Sequence, residues 1–596
     1  MIASRQCSAV TARAGTEAGP ERGKSRWRTT TVPPFTERQK KMGTHNSGAL
    51  DADKRGELEK LSKLRVYTAK PITIGRGICF GLVDLMGGGW NTIISGLLLY
   101  FFTNYGGVTA TQGGLILGVA RIVDAVISVF IGPLTDGFYR TKLGRRFGRR
   151  HFFLMIGAPL LLLIFPLLWI PFGGFWYYLV IYLLIEVIIA IILIPWETLP
   201  TEMTRKYEER TTLSSMRMFC SATGTFVVFF IPALVRGNVS NPWAYLGIGG
   251  AFAVLFAIGV FTTYATTWER PLTPEFVAEL DAMPKMNGFQ MLKHTAVEFT
   301  SVFRNSSYNK HLTVYLFSFT GKDVYASALT FFAVYAVGMS ESQGFWLQAV
   351  SIVGIPMTIW AMFLMLSHGP RFLWAFSFTL ILASLAGVGA IYLIGPESNA
   401  FIYLLATAVI YQCGRALLEY TPWNVYPFIP DVDYIMTRED RAGIYAAVMT
   451  FGRKSTGALG TFLVGWFMDL GGFVNPLEKG TNLAASGYTP LHEGACKVDA
   501  SGALEGSCQV VQSAGASHMI AFVTVILPAI LIGVALLVSR FVKLDKHTHA
   551  ILMDEIHRLE AGGAKEDATP EARKVAEDLT GHSWDKLWPE VPLNQR

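Results

Sequence analysis

Arg121 and Asp124 stand inside a long apolar run, and Arg140, Lys142, Arg145, Arg146, Arg149 and Arg150 follow where that run ends. An ionisable side chain at the centre of a membrane span costs about 2.5–3.5 kcal/mol on insertion scales, so it marks a functional site by default. Arg121 and Asp124 are at i and i+3 and can share one helix face. Two readings stand: a static buried ion pair, or a carboxylate that titrates or binds a cation, with Arg121 tuning it. Other ionisable residues sit in apolar surroundings too: Asp84, Glu186, the neighbours Lys322 and Asp323, and Arg415 with Glu419. Adjacent residues point about 100° apart on a helix, so Lys322 and Asp323 cannot both face one partner. Trp90, Asn91, Trp196, Trp423 and Asn424 could stack on and hydrogen-bond a polar ligand, although aromatics in membrane helices also serve as anchors.

Such charges need membrane helices to carry them, and the composition supplies these. The chain has 596 residues, 51% hydrophobic and only 16% charged, the balance of a polytopic membrane protein. About twenty apolar residues cross a bilayer, and twelve spans are expected, near 76–104, 112–136, 152–173, 175–200, 213–235, 244–267, 310–338, 344–367, 372–394, 400–428, 443–470 and 516–542. Residues 1–73 read as a disordered tail. Residues 74–267 form a first six-helix bundle, 268–309 a linker, 310–542 a second bundle with a long loop at 471–515, and 543–596 a tail. Lys and Arg concentrate in alternate loops: the 140–150 cluster, Arg205 to Arg210, Arg371, and Arg438 with Arg441. That asymmetry places both termini and the linker in the cytoplasm and 471–515 outside. His547–Leu559 carries Ile551, Leu552, Ile556 and Leu559 on one stripe, an amphipathic helix for the cytoplasmic face, and the rest of the tail is polar.

The two halves repeat. Arg217–Phe226 reads RMFCSATGTF and Arg453–Phe462 reads RKSTGALGTF, with Arg, Ala, Gly, Thr and Phe in register. Pro195-Trp196 and Pro422-Trp423 lie upstream of them, each followed by a proline with an acid, Pro200 with Glu202 and Pro430 with Asp431, and then by Arg210 and Arg441. Asp84 and Asp323 hold similar places in the first span of each half. Repeats of this kind belong to transporters whose substrate site lies between the halves near the midplane.

The net charge of +7 sits in loops and the N-terminal tail, which fits topology and not a nucleic-acid-binding face. The six cysteines lack metal spacing. Cys496 and Cys508 share the outer loop, where a disulfide and two free thiols are both open. The spans contain no HExxH and no reactive Ser/His arrangement, and no GxxxxGK[ST] loop supports ATP drive.

The motifs ARIVDA, GPLTDGFYRTKLGRR, IPWETLPTEMTRKYEERTTLSSMR, PFIPDVDY, REDRAGIYAA and RKSTGALG, with HAILMDEIHRLE at the C-terminal end, make the chain resemble the glycoside–pentoside–hexuronide:cation symporters of the major facilitator superfamily over roughly 76–560. The resemblance implies an all-α major facilitator fold of twelve transmembrane helices in two six-helix halves. It implies a coupling cation at Asp124, with Ser128 in the place of a second acid, which leaves proton or weak sodium coupling open. The family's eleventh-span lysine falls on Lys454. The fourth-span sugar acid is replaced by Leu193, and the first-span acid falls on Gly88 with Asp84 one turn earlier.

The resulting expectation is a secondary active symporter, not an enzyme, that moves a small organic solute, foremost a sugar or glycoside, with H⁺ or Na⁺ by alternating access. It needs no cofactor, is a monomer in membrane lipid, and binds no nucleic acid. An amphiphile such as a lysophospholipid is the alternative cargo, and a transporter-like sensor a remote one. Asp124, Ser128 and Arg121 are assigned to cation coupling. Asp84, Asn91, Trp196, Arg217, Lys322, Asp323, Trp423 and Lys454 are assigned to the substrate cavity. Asp136, Arg140, Arg145, Arg146, Arg210, Asp431 and Arg441 are assigned to gating at the cytoplasmic loops.

Overall fold

A computed structural model describes residues 71–589, except 205–206, 235–241, 271, 274–276, 278–298, 396–398, 440, 493–495 and 506. Nearly all of the 1–73 tail and much of the 268–309 linker therefore lie outside the described residues. In the first half, α1 (Ile74–Ile93) runs through a π-turn into α2 (Leu99–Tyr105). Then come α3 (Ala110–Gly137), α4 (Lys142–Phe147), α5 (His151–Ile164), α6 (Gly174–Met203), α7 (Tyr207–Leu234) and α8 (Ala244–Thr266). The second half comprises α9 (Ser306–Phe331), α10 (Glu341–Ala349), α11 (Gly354–Ile394), α12 (Ala400–Val425), α13 (Ile429–Thr437) and α14 (Ala442–Leu470). After these come α15 (Leu483–Ser486), α16 (Ala514–Ala521), α17 (Leu527–Ser539), α18 (Lys546–Glu560) and α19 (Pro570–Thr580).

Among the described residues, 9 stretches are long and apolar enough to cross a membrane. One of them, Glu341–Ile394, is two spans, because Gly369 takes φ 76° just before Pro370 and breaks α11 there. Two further helices, α9 with 26 residues and α14 with 29, are long enough but carry Lys322 and Asp323, and Arg453 and Lys454. Counted so, the fold is the expected all-α major facilitator arrangement of twelve helices.

Helix starts follow local chemistry. Thr109 and Ser340 open α3 and α10 with full capping boxes, and the Asn305 side chain caps α9. Within the first half α1 packs along α7, and in the second α9 packs along α14. The crossing of α1 and α7 requires Gly224, where a Cβ would lie 2.3 Å from the Leu85 carbonyl. The halves meet where α3 lies against α14 and α7 against α10. At the first of these seams a Cβ on Gly465 would lie 2.0 Å from the Ala110 carbonyl, so only glycine lets the backbones come this near.

The face that bears the chain's C-terminal helices, here the terminal face, is held together within each half. Glu202 bridges Arg149 and Arg150, the latter at 2.5 Å. Glu269 accepts from the backbone N–H groups of Arg149 at 3.0 Å and Arg150 at 2.8 Å, and lies 2.8 Å from His151 Nδ1. Burial alone would push the Glu269 carboxyl up, but the His151 ring and the backbone donors outweigh it and hold it below the ordinary value of 4.5. A carboxyl lowered by folding adds stability above its unfolded value and loses it as pH falls through the native one. Glu269→Gln is therefore expected to cost about 1–3 kcal/mol at neutral pH and to flatten the acid limb of a melting-temperature profile below pH 4.5. An unchanged profile in a thermal unfolding assay would refute this.

The C-terminal tail departs from the expectation of a single amphipathic helix followed by polar chain. A second helix, α19, buries Ala572, Ala576 and Leu579. Beyond it Trp588 packs 6.1 Å from the Tyr434 ring, with the Arg438 guanidinium 4.8 Å over its face. The tail thus straps α9, α13 and α17 from below, anchored by Ser307 donating to the Leu579 carbonyl at 2.6 Å and by Lys543 with Asp578 at 2.8 Å.

On the opposite face, here the loop face, short antiparallel bridges join Leu477 to Cys508, Asn482 to Ala503, Pro490 to Val510 and Val498 to Leu504 around α15. Cys496 and Cys508 are joined by a disulfide across 12 residues of sequence. A bridge closing so short a loop contributes about 2–4 kcal/mol. Cys496→Ser is expected to make this loop markedly more sensitive to limited proteolysis. Equal cleavage rates would show that the bridges hold it alone.

Candidate functional site

The charges carried in mid-helix converge on the space between the halves. Lys454, near the middle of α14, places Nζ 2.5 Å from Asp124 Oδ2 on α3 and donates to Ser128 Oγ at 3.2 Å. Ser128 in turn donates to Asp124 Oδ1 at 3.2 Å. Asp124 is thus neutralised across the seam by the other half, and not by its own helix. The expected local pair dissolves: Arg121 instead donates to Asn91 Oδ1 on α1 at 3.0 Å. An i,i+3 pair contributes only tenths of a kcal/mol on a helix, so the spacing alone does not hold Arg121 to Asp124 when Asn91 and Lys454 offer each of them another partner. Beside this cluster, on α6, Glu186 is buried and accepts from Trp90 Nε1 at 3.3 Å.

Each half also carries its own carboxylate–guanidinium pair at matching positions. Asp84 on α1 meets Arg217 on α7 at 3.0 Å, and Asp323 on α9 meets Arg453 on α14 at 2.7 Å. The repeat in sequence is therefore a repeat of ion pairs in space. Glu197 extends the first pair, 2.8 Å from Arg217. The second belongs to a larger net: Lys322 lies 3.0 Å from Glu419 and 3.6 Å from Asp323, and Arg415 lies 3.0 Å from Glu419. Lys322 and Asp323 do diverge, one toward α12 and the other toward α14. Arg217, Lys322, Arg453 and Lys454 are each part-exposed in the middle of long helices, as a polar cavity between the halves requires.

The two proline–tryptophan motifs are not equivalent. Trp196 is fully buried; it donates to the Phe80 carbonyl at 2.9 Å and lies under the Arg217 guanidinium at 4.6 Å. It steadies Arg217 and offers no free face to a ligand. Trp423 is 48% exposed and meets Tyr315 edge-on at 6.0 Å. Its ring is open to stacking.

The residues assigned to gating lie apart from this cavity. Arg145 donates to the Tyr139 carbonyl at 3.2 Å, Arg140 to the Tyr139 hydroxyl at 3.3 Å, and Arg146 lies 5.2 Å from the Phe147 ring. Arg441 pairs with Asp433 at 2.7 Å, not with Asp431, which lies 2.7 Å from His549 Nε2. The acid that matters beside Pro430 is two residues further along α13 than the motif comparison placed it. The side chains of Asp136 and Arg210 lie outside the described residues.

One residue of the site escaped sequence reading. Glu341, the first residue of α10, is 6% exposed and gathers four donors from three separate segments. Tyr100 donates to it at 2.8 Å, Tyr105 and Gln509 at 2.5 Å each, and Tyr245 at 3.3 Å. Nearby, Asp469 accepts from the Thr111 N–H at 2.8 Å, Ser342 donates to the Ala233 carbonyl at 2.8 Å, and Ser327 to the Ser95 carbonyl at 2.6 Å. Among the described residues, these contacts between the halves lie at the level of Lys454 or on the loop-face side of it. The halves are sealed there.

Comparison with known proteins places this geometry. A family model described as MFS/sugar transport protein matches residues 79–546. An uncharacterized symporter of Synechocystis sp. is 24% identical over 457 residues, covering 63% of this chain and 82% of the relative. An uncharacterized symporter of Bacillus subtilis is 22% identical over 509 residues, covering 83% of this chain and 97% of the relative. The isoprimeverose transporter of Lactiplantibacillus pentosus is 26% identical over 248 residues, covering 39% of this chain and 50% of the relative.

Proposed function

Because this chain belongs to the MFS/sugar transport protein family, we propose that it is a secondary active symporter that carries a sugar or glycoside together with a cation. The observation that carries the reading is the pairing of Asp124 with Lys454 across the seam at 2.5 Å. A charge pair that joins two rocking halves must be broken or neutralised when they part, and cation binding at the carboxylate does this.

The cation is foremost a proton. Sodium is a hard ion that seeks several oxygen ligands, whereas the partners of Asp124 are one ammonium and the Ser128 hydroxyl. The cargo is a polyol, because the cavity offers charged donors and acceptors in near balance, Asp84 with Arg217 and Asp323 with Arg453. These can exchange partners for hydroxyl groups without a net charge on the solute. The open face of Trp423 would stack against the apolar face of a sugar ring. The relative named for isoprimeverose supports the same cargo class. The lysine–arginine asymmetry of the loops supports a cytoplasmic terminal face.

Uptake into proteoliposomes under separately imposed proton and sodium gradients, with a labelled panel of pentosides, hexosides and lysophospholipids, tests this reading. Proton-driven accumulation of a glycoside is the expected result. Accumulation of a lysophospholipid alone, or none under either gradient, refutes it.

A further inference from the structure

The C-terminal strap borders an open cavity of about 220 Å³ against the break of α11 at Gly369 and the end of α17. Arg371, Arg540 and Lys543 line it, with the Thr548 side chain and the lone acid Asp578. Lys543 is engaged by Asp578 at 2.8 Å. Arg371 gives its Nε to the Val542 carbonyl, and no described partner takes its terminal nitrogens. The Arg540 side chain has no described partner. Two guanidiniums therefore face one small cavity with their planar donor edges unspent, an arrangement that suits the oxygens of a phosphate group.

The surroundings identify the source of that phosphate. Arg540 follows directly on the apolar span Ala514–Ser539, so the cavity sits at the membrane boundary. Leu537 on the last turn of α17, 60% exposed, and Phe541 just beyond it, 66% exposed, lie beside it. A free anion has no use for such neighbours, whereas acyl chains would lie along them while the head group entered the cavity. We propose that this is a binding site for one anionic phospholipid, held by its phosphate on Arg371 and Arg540 and fastening the strap to the second half. Basic pockets between membrane helices are suited to such head groups. The site is separate from the central cavity and does not depend on the transported solute.

The test uses the full-length protein purified in detergent and stripped of lipid. Phosphatidylglycerol, phosphatidylcholine and sn-glycerol 3-phosphate are added separately, with native mass spectrometry for bound lipid and thermal unfolding as readouts. Phosphatidylglycerol alone is expected to give a one-to-one adduct and to raise the melting temperature. Arg540→Gln removes no described internal bond, so its melting temperature in phosphatidylcholine should equal the parent's. Its affinity for phosphatidylglycerol should fall about fivefold, the share of one cation near an anionic lipid. Asp578→Asn frees Lys543 and should tighten binding. Unchanged phosphatidylglycerol affinity in Arg540→Gln, or weaker binding in Asp578→Asn, overturns the site. Equal protection by glycerol 3-phosphate shows a free-anion site and overturns the lipid assignment.

Discussion

Replacing Asp124 with Asn is expected to abolish gradient-driven accumulation while leaving downhill exchange of the solute measurable. Asparagine keeps the shape of the side chain and its hydrogen bond with Ser128, 3.2 Å away, but removes the charge that Lys454 meets at 2.5 Å. The cost of the seam then ceases to depend on a cation, and the halves rock with or without one. The loss is large because the drive is large. One charge moving down 100 mV releases about 2.3 kcal/mol, which sustains roughly fifty-fold accumulation since about 1.4 kcal/mol is tenfold. The substitution should bring that ratio to about one in proteoliposomes. Lys454→Ala leaves Asp124 buried without its partner, and should impair accumulation and exchange together. If Asp124→Asn concentrates solute as the parent does, the carboxylate is structural, and Glu186, buried beside Trp90, becomes the coupling candidate.

What the chain declares in its sequence is mostly what repeats or is costly. A carboxylate in an apolar run stands out, and so Asp84, Asp124 and Asp323 are visible without a structure. The matched decapeptides at Arg217 and Arg453 foretell two like ion pairs, because a repeated backbone carries its contacts with it. Local rules fail where a distant partner competes. The i,i+3 spacing of Arg121 and Asp124 suggests a pair, but the partner of Asp124 lies some three hundred residues away on α14. The strap fails differently: α19 is polar on balance, and only the spacing of Ala572, Ala576 and Leu579 along one face signals that it docks. Glu341 is the hardest case. It reads as an ordinary acid in the first turn of a helix, where the helix dipole favours it, and its donors come from positions 100, 105, 245 and 509.

That scatter makes Glu341 the place to break the loop-face seal. Three tyrosines of the first half and a glutamine of the disulfide-bonded loop end on one carboxylate of the second half. Glu341→Ala strands these buried donors at once, and each unsatisfied polar group costs about 1–3 kcal/mol. That penalty falls on the state sealed at the loop face and vanishes when the halves part there and water reaches the hydroxyls. The equilibrium should therefore move toward the state open at the loop face by at least tenfold, since about 1.4 kcal/mol suffices for that. A cysteine placed at Asn91, within the central cavity, reports the change. In the parent it should resist a membrane-impermeant thiol reagent applied from the loop face, and in the Glu341→Ala background it should label readily. Glu341→Gln, which keeps one acceptor oxygen, should fall between the two. Equal labelling in all three backgrounds would mean that the seam of α3 with α14 holds the face closed without the carboxylate, and that Glu341 serves only to anchor the loop through Gln509.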